Sequence, residues 1–278
     1  MSTVIHFIDV GQGNMVLIEA DNGGFYICDC NITNENEDGI LDYLGDVIEW
    51  GTHISAFICT HRDADHMRGI TKIHKYFPIQ SIWDSGYPGT TTNSSEYSEY
   101  MKLRRTVGYV EKTKLTYQDL GMTRLRYLSS TDERLDKNAN AQGLIIKVEQ
   151  YNSENIGSSA ILTGDCDAET WRYGVMEDYS KNDVSASILM AGHHGSITFF
   201  DDPVDPNNYY TDHIEAINPS MTIVSVGKNS HGHPDKNALG LYEQYSTGSN
   251  KGNKVYTTQA KGTMKLTLKD NGWSLHAA

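Results

Sequence analysis

The sequence predicts an α+β protein built as a four-layer αββα sandwich, with two sheets inside and helices outside. Three observations lead there: strand-like runs occur in both halves of the chain, each half also supplies helix-period segments, and no short internal repeat points to a solenoid or propeller. A length of 278 residues with 38% hydrophobic content is enough for a substantial core. No Pro/Ser-rich linker divides the chain, so one domain over residues 1–278 is expected, carrying a polar, Tyr-rich insertion at about 93–126.

The chain opens with strand-like runs at 4–10, 15–20 and 24–30, separated by Gly and Asn turn residues, which read as an antiparallel meander. A helix-period segment at 38–50 follows, then a strand at 54–60, a helix after His66 and a strand at 80–85. Residues 93–118 read as helical. Strands resume at 123–129, 143–151 and 158–165. After a helix at 168–179, strands at 185–192 and 221–227 alternate with helices near 210–217 and 235–246, and closing strands fall near 254–257 and 262–268.

The formal charge of −13, from 23 basic and 36 acidic residues, argues against broad adhesion to nucleic acid or anionic membrane. It leaves room for carboxylates gathered around cations, whose negative field disappears once metal binds. No apolar run reaches the length of a membrane span and the first residues lack a signal-peptide pattern, so a soluble cytoplasmic protein with no membrane association is expected. Cys28, Cys30, Cys59 and Cys166 lie in or beside strand-like runs without C-x-x-C spacing and are expected as buried reduced thiols.

The chemistry concentrates at strand ends. In "FICTHRDADHMRG" an apolar run ends in His61, Asp63, Asp65 and His66. Strand alternation would point His61 and Asp63 to one side, and Asp65 and His66 follow as the chain turns away. Crowding four such groups costs free energy unless a cation neutralises them. Three later loops repeat the arrangement of apolar strand, glycine and ligand-type residue. "AILTGDCD" carries Asp165, "ILMAGHHGS" carries His193 and His194, and "SVGKNSHGHP" carries Lys228, His231 and His233. Six of the eleven histidines fall in these loops, while His6, His53, His74, His213 and His276 read as structural or exposed.

With "FIDVGQGN" at the start, these motifs make the sequence resemble the metallo-β-lactamase-fold hydrolases, and among them the soluble hydrolase domain of the competence DNA-uptake (ComEC-like) family. The resemblance implies a metal site between two sheet edges, two divalent ions and a water-derived nucleophile. It implies His61 and Asp63 on the first ion, Asp65 and His66 on the second, Asp165 as the bridge and His233 near the second ion. His193 and His194 would border or enter the site, with Asp65, Asp165, His193 and His194 as catalytic candidates.

The departures from that pattern are specific. Asp63 stands where the commoner motif has histidine, a harder ligand that makes manganese as suitable as zinc. Many relatives carry a ligand histidine before the "GD" aspartate, but here the stretch between His66 and Asp165 holds only His74. Asn138 and Asn140 occupy the corresponding region as weak ligands or hydrogen-bonding groups. Asp9 is expected to organise loops beneath the site, and Cys166 to be a packed thiol.

Such a pair of ions hydrolyses esters, and phosphodiesterase or nuclease activity is the leading expectation. Hydrolysis of a lactone, thioester or phosphocholine ester, or a noncatalytic metal-stabilised module, are the alternatives. Lys228 and His231 are candidates beside the substrate, each with an ordinary alternative as a solvated lysine or a neighbour that orients a ligand. Across 93–126, Lys102, Arg104, Arg105, Lys112, Lys114, Arg124 and Arg126 outnumber Glu96, Glu99, Glu111 and Asp119. Interleaved with tyrosines, they could hold a polyanion, with Arg104 and Arg105 as its contacts, or form a solvated cover.

Overall fold

The computed structural model describes residues 2–151, 156–248 and 254–278. The opening meander is present as β1 (Thr3–Phe7), β2 (Val16–Glu19) and β3 (Phe25–Cys28), each antiparallel to the next. Asp29, at φ 58°, breaks the third run and leaves the two-residue β4 (Cys30–Asn31) beyond it. Helix α1 (Glu37–Ile48) buries Ile40, Leu41, Leu44 and Ile48, the i, i+1, i+4, i+8 face of an amphipathic helix. Then follow β5 (Ile54–Ile58), the short α2 (Ala64–Met67) and α3 (Ile70–Tyr76), and β6 (Ile82–Asp84).

Residues 93–118 are helical only in their first part. Helix α4 (Ser95–Val107), capped by the Ser94 side chain, stops at Gly108. The chain then forms β7 (Tyr109–Glu111) and β8 (Thr116–Leu120), which are the edge strands of the two sheets. Rather than standing apart from the sandwich, the segment builds its margin. Alternating Tyr, Val and Thr favour strand there more than the charges favour helix.

The second half supplies β9 (Thr123–Ser129), β10 (Ile145–Tyr151) and β11 (Ile156–Leu162), followed by a six-residue π-helical segment (Thr170–Val175) where a longer helix was expected. Next come α5 (Lys181–Val184), β12 (Ile188–Met190), α6 (Asp212–Ile217), β13 (Met221–Val224), α7 (Lys236–Tyr245), β14 (Val255–Thr257) and α8 (Thr258–Lys261). The closing hairpin is β15 (Met264–Lys269) and β16 (Gly272–Ala277). β15 pairs antiparallel with β1, which brings the two ends of the chain into one sheet.

Among the described residues, one sheet has eight strands in the order β16-β15-β1-β2-β3-β5-β6-β7, the other seven in the order β14-β13-β12-β11-β10-β9-β8. Ile5, Phe7 and Ile18 of the first share a buried cluster with Leu125, Ile146 and Met190 of the second, so the sheets pack face to face. The outer face of the first sheet is covered by α1, α3 and α4, and that of the second by the π-helical segment, α6 and α7. This is the four-layer αββα sandwich. β3 and β5 run parallel, as do β11, β12 and β13, and the loops leaving β3, β5, β11, β12 and β13 meet at one edge.

In the outer layer of the second sheet His213 is fully buried, stacked on Tyr210 and enclosed by Trp171, Phe199 and Phe200. Burial, offset slightly by the Phe199 backbone, pushes its pKa down to about 3. Unfolding returns the ring to water, where it takes up a proton below about pH 6.5. The unfolded chain then binds more protons, so this contribution to stability is complete above pH 6.5 and declines as pH falls toward 3. Wild type should therefore lose roughly 1.4 kcal/mol per pH unit over that window relative to His213→Phe. Urea midpoints of both proteins between pH 7 and 4 measure it, and parallel profiles would refute it.

Candidate metal centre

β5 delivers the first cluster. Leu144 N donates to Thr60 O at 2.8 Å, stitching the end of β5 to the chain entering β10. Gly164, at φ 54°, passes so close that an added Cβ would lie 2.8 Å from the Thr60 side chain. Only glycine permits that approach, and it sets Asp165 opposite His61 and His66.

Asp65, His66, Asp165 and His194 each offer a ligand atom to one group whose atoms all lie within 4.8 Å of one another. His66 Nε2 is 3.1 Å from Asp165 Oδ1 and 4.0 Å from Asp65 Oδ1, while His194 Nε2 is 3.4 Å from Asp65 Oδ2 and 3.6 Å from Asp165 Oδ1. The other Asp165 oxygen, Oδ2, is 3.8 Å from His61 Nε2 and 3.6 Å from His193 Nε2. His61 Nε2 in turn lies 3.9 Å from Asp63 Oδ2.

The outward side of each buried imidazole is tethered. Thr60 Oγ1 donates its one hydrogen to Asp29 Oδ2 at 2.7 Å, so the contact at 3.1 Å with His61 requires His61 Nδ1–H to be the donor. His66 Nδ1 donates to Asp29 Oδ2 at 2.8 Å, and His194 Nδ1 to the Ser225 carbonyl at 3.0 Å. Each ring therefore presents an unprotonated Nε2 to the centre when neutral. His61 Nε2, His66 Nε2, His194 Nε2 and Asp165 Oδ1 are buried without hydrogen-bond partners among the described residues. Unpaired acceptors aimed at one another are costly without a cation, and this donor set of imidazoles and carboxylates suits a divalent ion.

The protein field is consistent with that fit. Burial would raise the Asp165 pKa, but the neighbouring charges of His66 and His194 outweigh it and hold the carboxyl well below its usual range. Burial likewise opposes charge on His66, yet Asp165, Asp29 and Asp65 push its pKa well up. Burial and the adjacent His66 lower His61. The site is thus a concentrated negative well that favours cations.

The remaining candidates divide. His231, His233, His193 and Asn140 line a cleft of about 390 Å³ over the centre, together with Gln12, Asn31, Asp63, Asp65 and Arg68. His233 was expected beside the second ion, but the tight group is completed by His194, and the His233 ring sits 5.3 Å from that of His193. His194 reaches the group from a pair of left-handed residues, His193 (φ 48°) and His194 (φ 54°). Such conformations cost on the order of 1–3 kcal/mol each and persist where surrounding structure enforces them. Asn138 is exposed and spends its Oδ1 accepting from Ala141 N at 2.8 Å. Lys228 is exposed and outside the cleft lining. Cys166 Sγ donates to the Asn140 carbonyl at 3.4 Å, and burial pushes its thiol pKa well up. Asp9 Oδ1 accepts from Gly11 N at 3.1 Å, ordering the opening loop.

The substrate role expected of Arg104 is not available. Its guanidinium is buried, donating to Asp84 at 2.7 and 3.2 Å and to Glu111 at 3.0 Å. Lys114 is paired with Asp132 and Asp178, Arg124 with Asp119, and Arg126 with Glu149, while Lys112 is buried over the Trp83 ring. Arg105 and Lys102 remain exposed on α4 but do not line the cleft. The local excess of positive charge is largely neutralised, by Asp119 and Glu111 within the segment and by Asp84, Asp132, Glu149 and Asp178 outside it.

Several contributors escaped sequence reasoning. Asp29 lay hidden between Cys28 and Cys30, though an acid at the end of a buried strand was itself a signal. Thr90 donates to both Asp63 oxygens, from N at 2.9 Å and Oγ1 at 3.1 Å. Beside it, a Cβ on Gly89 would lie 2.1 Å from the Arg62 carbonyl. Asp84 ties Arg62 to Arg104 and Tyr100. Arg68, two residues beyond His66, donates to Asn31 Oδ1 at 3.0 Å and to Glu96 at 3.2 Å while bordering the cleft.

This architecture is the metallo-β-lactamase fold, a metallo-hydrolase fold carrying a candidate metal-binding cluster. No family model and no curated protein matches the sequence. Among solved structures, CmlA, a diiron β-hydroxylase from Streptomyces venezuelae, superposes with a TM-score of 0.57 at 13% identity over 96% of this chain. The chain spans about half of that protein, 54% of its length. The metallo-β-lactamase fold protein YhfI from Bacillus subtilis gives 0.55 at 9% identity, covering 95% of this chain and 99% of that one. A diphosphatase from the PhnP family gives 0.53 at 13%, covering 96% and 99%. At these identities the likeness speaks for the fold alone. None of the three is a competence DNA-uptake protein by its name, and that narrower resemblance rests on the sequence motifs.

Proposed function

We propose that the chain is a metal-dependent hydrolase of phosphodiesters, acting on small diesters rather than long nucleic acids. The observation that carries the reading is the convergence of three tethered imidazoles, each with its Nε2 free, on the two oxygens of Asp165. Asp65, His66, Asp165 and His194 would hold one divalent ion, zinc or manganese, and His61 and Asp63 with the second Asp165 oxygen another. Ions held there supply Lewis acidity, to a water and to phosphoryl oxygens alike.

The chain's own residues do the rest. Asp29 and Thr60 fix the tautomers and directions of His61 and His66. His231 and His233 stand on the cleft wall, where a proton can be passed to a leaving oxygen. Arg68 offers a partly exposed guanidinium for a substrate oxygen beside Asn31. Preference for small diesters is supported by the pairing of the 93–126 cations, which leaves little basic surface for a polyanion.

Arg68→Ala should raise KM for an anionic diester dye roughly ten- to hundredfold, the worth of a charge-assisted hydrogen bond, and move kcat less. A neutral ester or lactone assayed on the same preparation should change little. Equal loss on both would assign Arg68 a structural role. Faster turnover of oligonucleotides or lactones than of any small diester by wild type would replace the substrate class.

A further inference from the structure

Two positions in the centre are unequally supplied. The group around Asp165 Oδ1 has Asp65, His66 and His194, whereas the sequence between His66 and Asp165 provides no histidine for the Oδ2 side. His74, the one histidine in that stretch, lies on α3 and accepts from Ile79 N through its Nδ1 at 3.0 Å. The gap falls on the side of the carboxylate that His193 faces.

We propose that His193 completes the first metal position, sharing the Asp165 Oδ2 face with His61 and Asp63, so that the consecutive histidines of the "HHGS" loop serve different ions. His193 Nε2 is 3.6 Å from Asp165 Oδ2 and His61 Nε2 is 3.8 Å from it, while His61 Nε2 is 3.9 Å from Asp63 Oδ2. These separations are too long for hydrogen bonds, but ligand atoms around one ion with bonds of ~2.0–2.2 Å stand roughly 3–4 Å apart.

The His193 ring, more exposed than the other three, has a longer tether of the same kind. Thr198 Oγ1 donates its hydrogen to Ser196 Oγ at 3.1 Å, so in the contact at 3.4 Å it accepts from His193 Nδ1–H, leaving Nε2 unprotonated toward Asp165. The His193 backbone N also donates to Gly164 O at 3.0 Å, locking this loop to the residue before the shared aspartate. Left-handed backbone at both His193 and His194 brings two adjacent side chains to opposite oxygens of one carboxylate, which extended or helical backbone would not do.

The assignment rests on the metal centre of the proposed function but not on its substrate. The test is metal binding by the full chain, stripped with chelator and titrated calorimetrically with Mn²⁺ and separately with Zn²⁺, with bound metal counted after desalting. Wild type should take up about two ions per chain. His193→Ala should keep about one, with the tighter affinity unchanged, and weaken the other on the order of a hundredfold or more. Asp63→Ala should do the same, and combining it with His193→Ala should remove no further ion. His194→Ala should weaken the tighter site instead. His193→Asn, which tolerates the left-handed backbone, provides a second variant, and thermal unfolding of each apoprotein reports folding. Two ions at unchanged affinity in both His193 variants would overturn the assignment, as would loss of both ions from a variant whose apoprotein unfolds like wild type. No uptake by wild type would instead overturn the metal centre itself, and this assignment with it.

Discussion

Asp165→Asn should lower kcat/KM for a phosphodiester by about a thousandfold or more, while the apoprotein keeps its fold. Among the described residues, Asp165 is the one carboxylate that meets all four histidines of the centre, two at each oxygen. The amide is nearly isosteric but replaces one charged oxygen with an N–H₂ donor aimed at imidazole nitrogens that need a cation. Its neighbour separates this effect from general damage. Cys166→Ser should retain substantial activity, because the thiol hydrogen-bonds the Asn140 carbonyl and is not in the tight group. Assay of both variants with matched metal loading checks the pair. Turnover intact in Asp165→Asn and abolished in Cys166→Ser would reverse the ligand assignment.

The second large effect concerns stability. Asp84→Ala should destabilise the fold by about 3–5 kcal/mol, because it leaves the buried Arg62 charge without its carboxylate and Arg104 with Glu111 alone. Arg62 and Arg104 both donate to this carboxylate, at 3.0 and 2.7 Å, and Tyr100 adds a third donor at 2.6 Å. Burial would raise the Asp84 pKa, but these donors reverse the shift and keep it charged. Arg62 sits between His61 and Asp63, so the loss would also loosen the first metal loop. A fall in Tm on the order of 10 °C is expected by calorimetry. Adding Arg62→Met and Arg104→Met should restore part of it, since apolar packing can replace a buried ion cluster at small cost. A neutral Asp84→Ala, or no recovery in the triple variant, would show the cluster to be incidental.

The sequence made the centre's location readable because ligands at strand ends leave a local trace. His61, Asp63, Asp65 and His66 follow one strand, and Asp165 and the His193–His194 pair each follow another, so parallel strands deliver them to a common edge. Order along the chain did not reveal which histidine meets which oxygen. That is decided by backbone conformation at His193 and His194, and left-handed histidines carry no mark in the sequence. Arg104 illustrates the opposite error. Its charge and helical setting were plain, but its partner Asp84 lies twenty residues away on β6, and an ion pair closed by tertiary structure cannot be seen in local charge counts. The segment after Val107 misled for a related reason, since strands β7 and β8 gain their stability from the sheet edges they join rather than from their own pattern.

Metal-dependent catalysis at this centre is measured most directly by hydrolysis of a phosphodiester dye by chelator-stripped protein as Mn²⁺ or Zn²⁺ is added back, with bound metal counted in the same samples. No turnover is expected without metal, recovery should rise with the ions bound at this centre, and Asp165→Asn should show no recovery at the same free metal concentration. Turnover that is undiminished in the stripped protein, or metal uptake by wild type without hydrolysis of any ester offered, would contradict metal-dependent catalysis there.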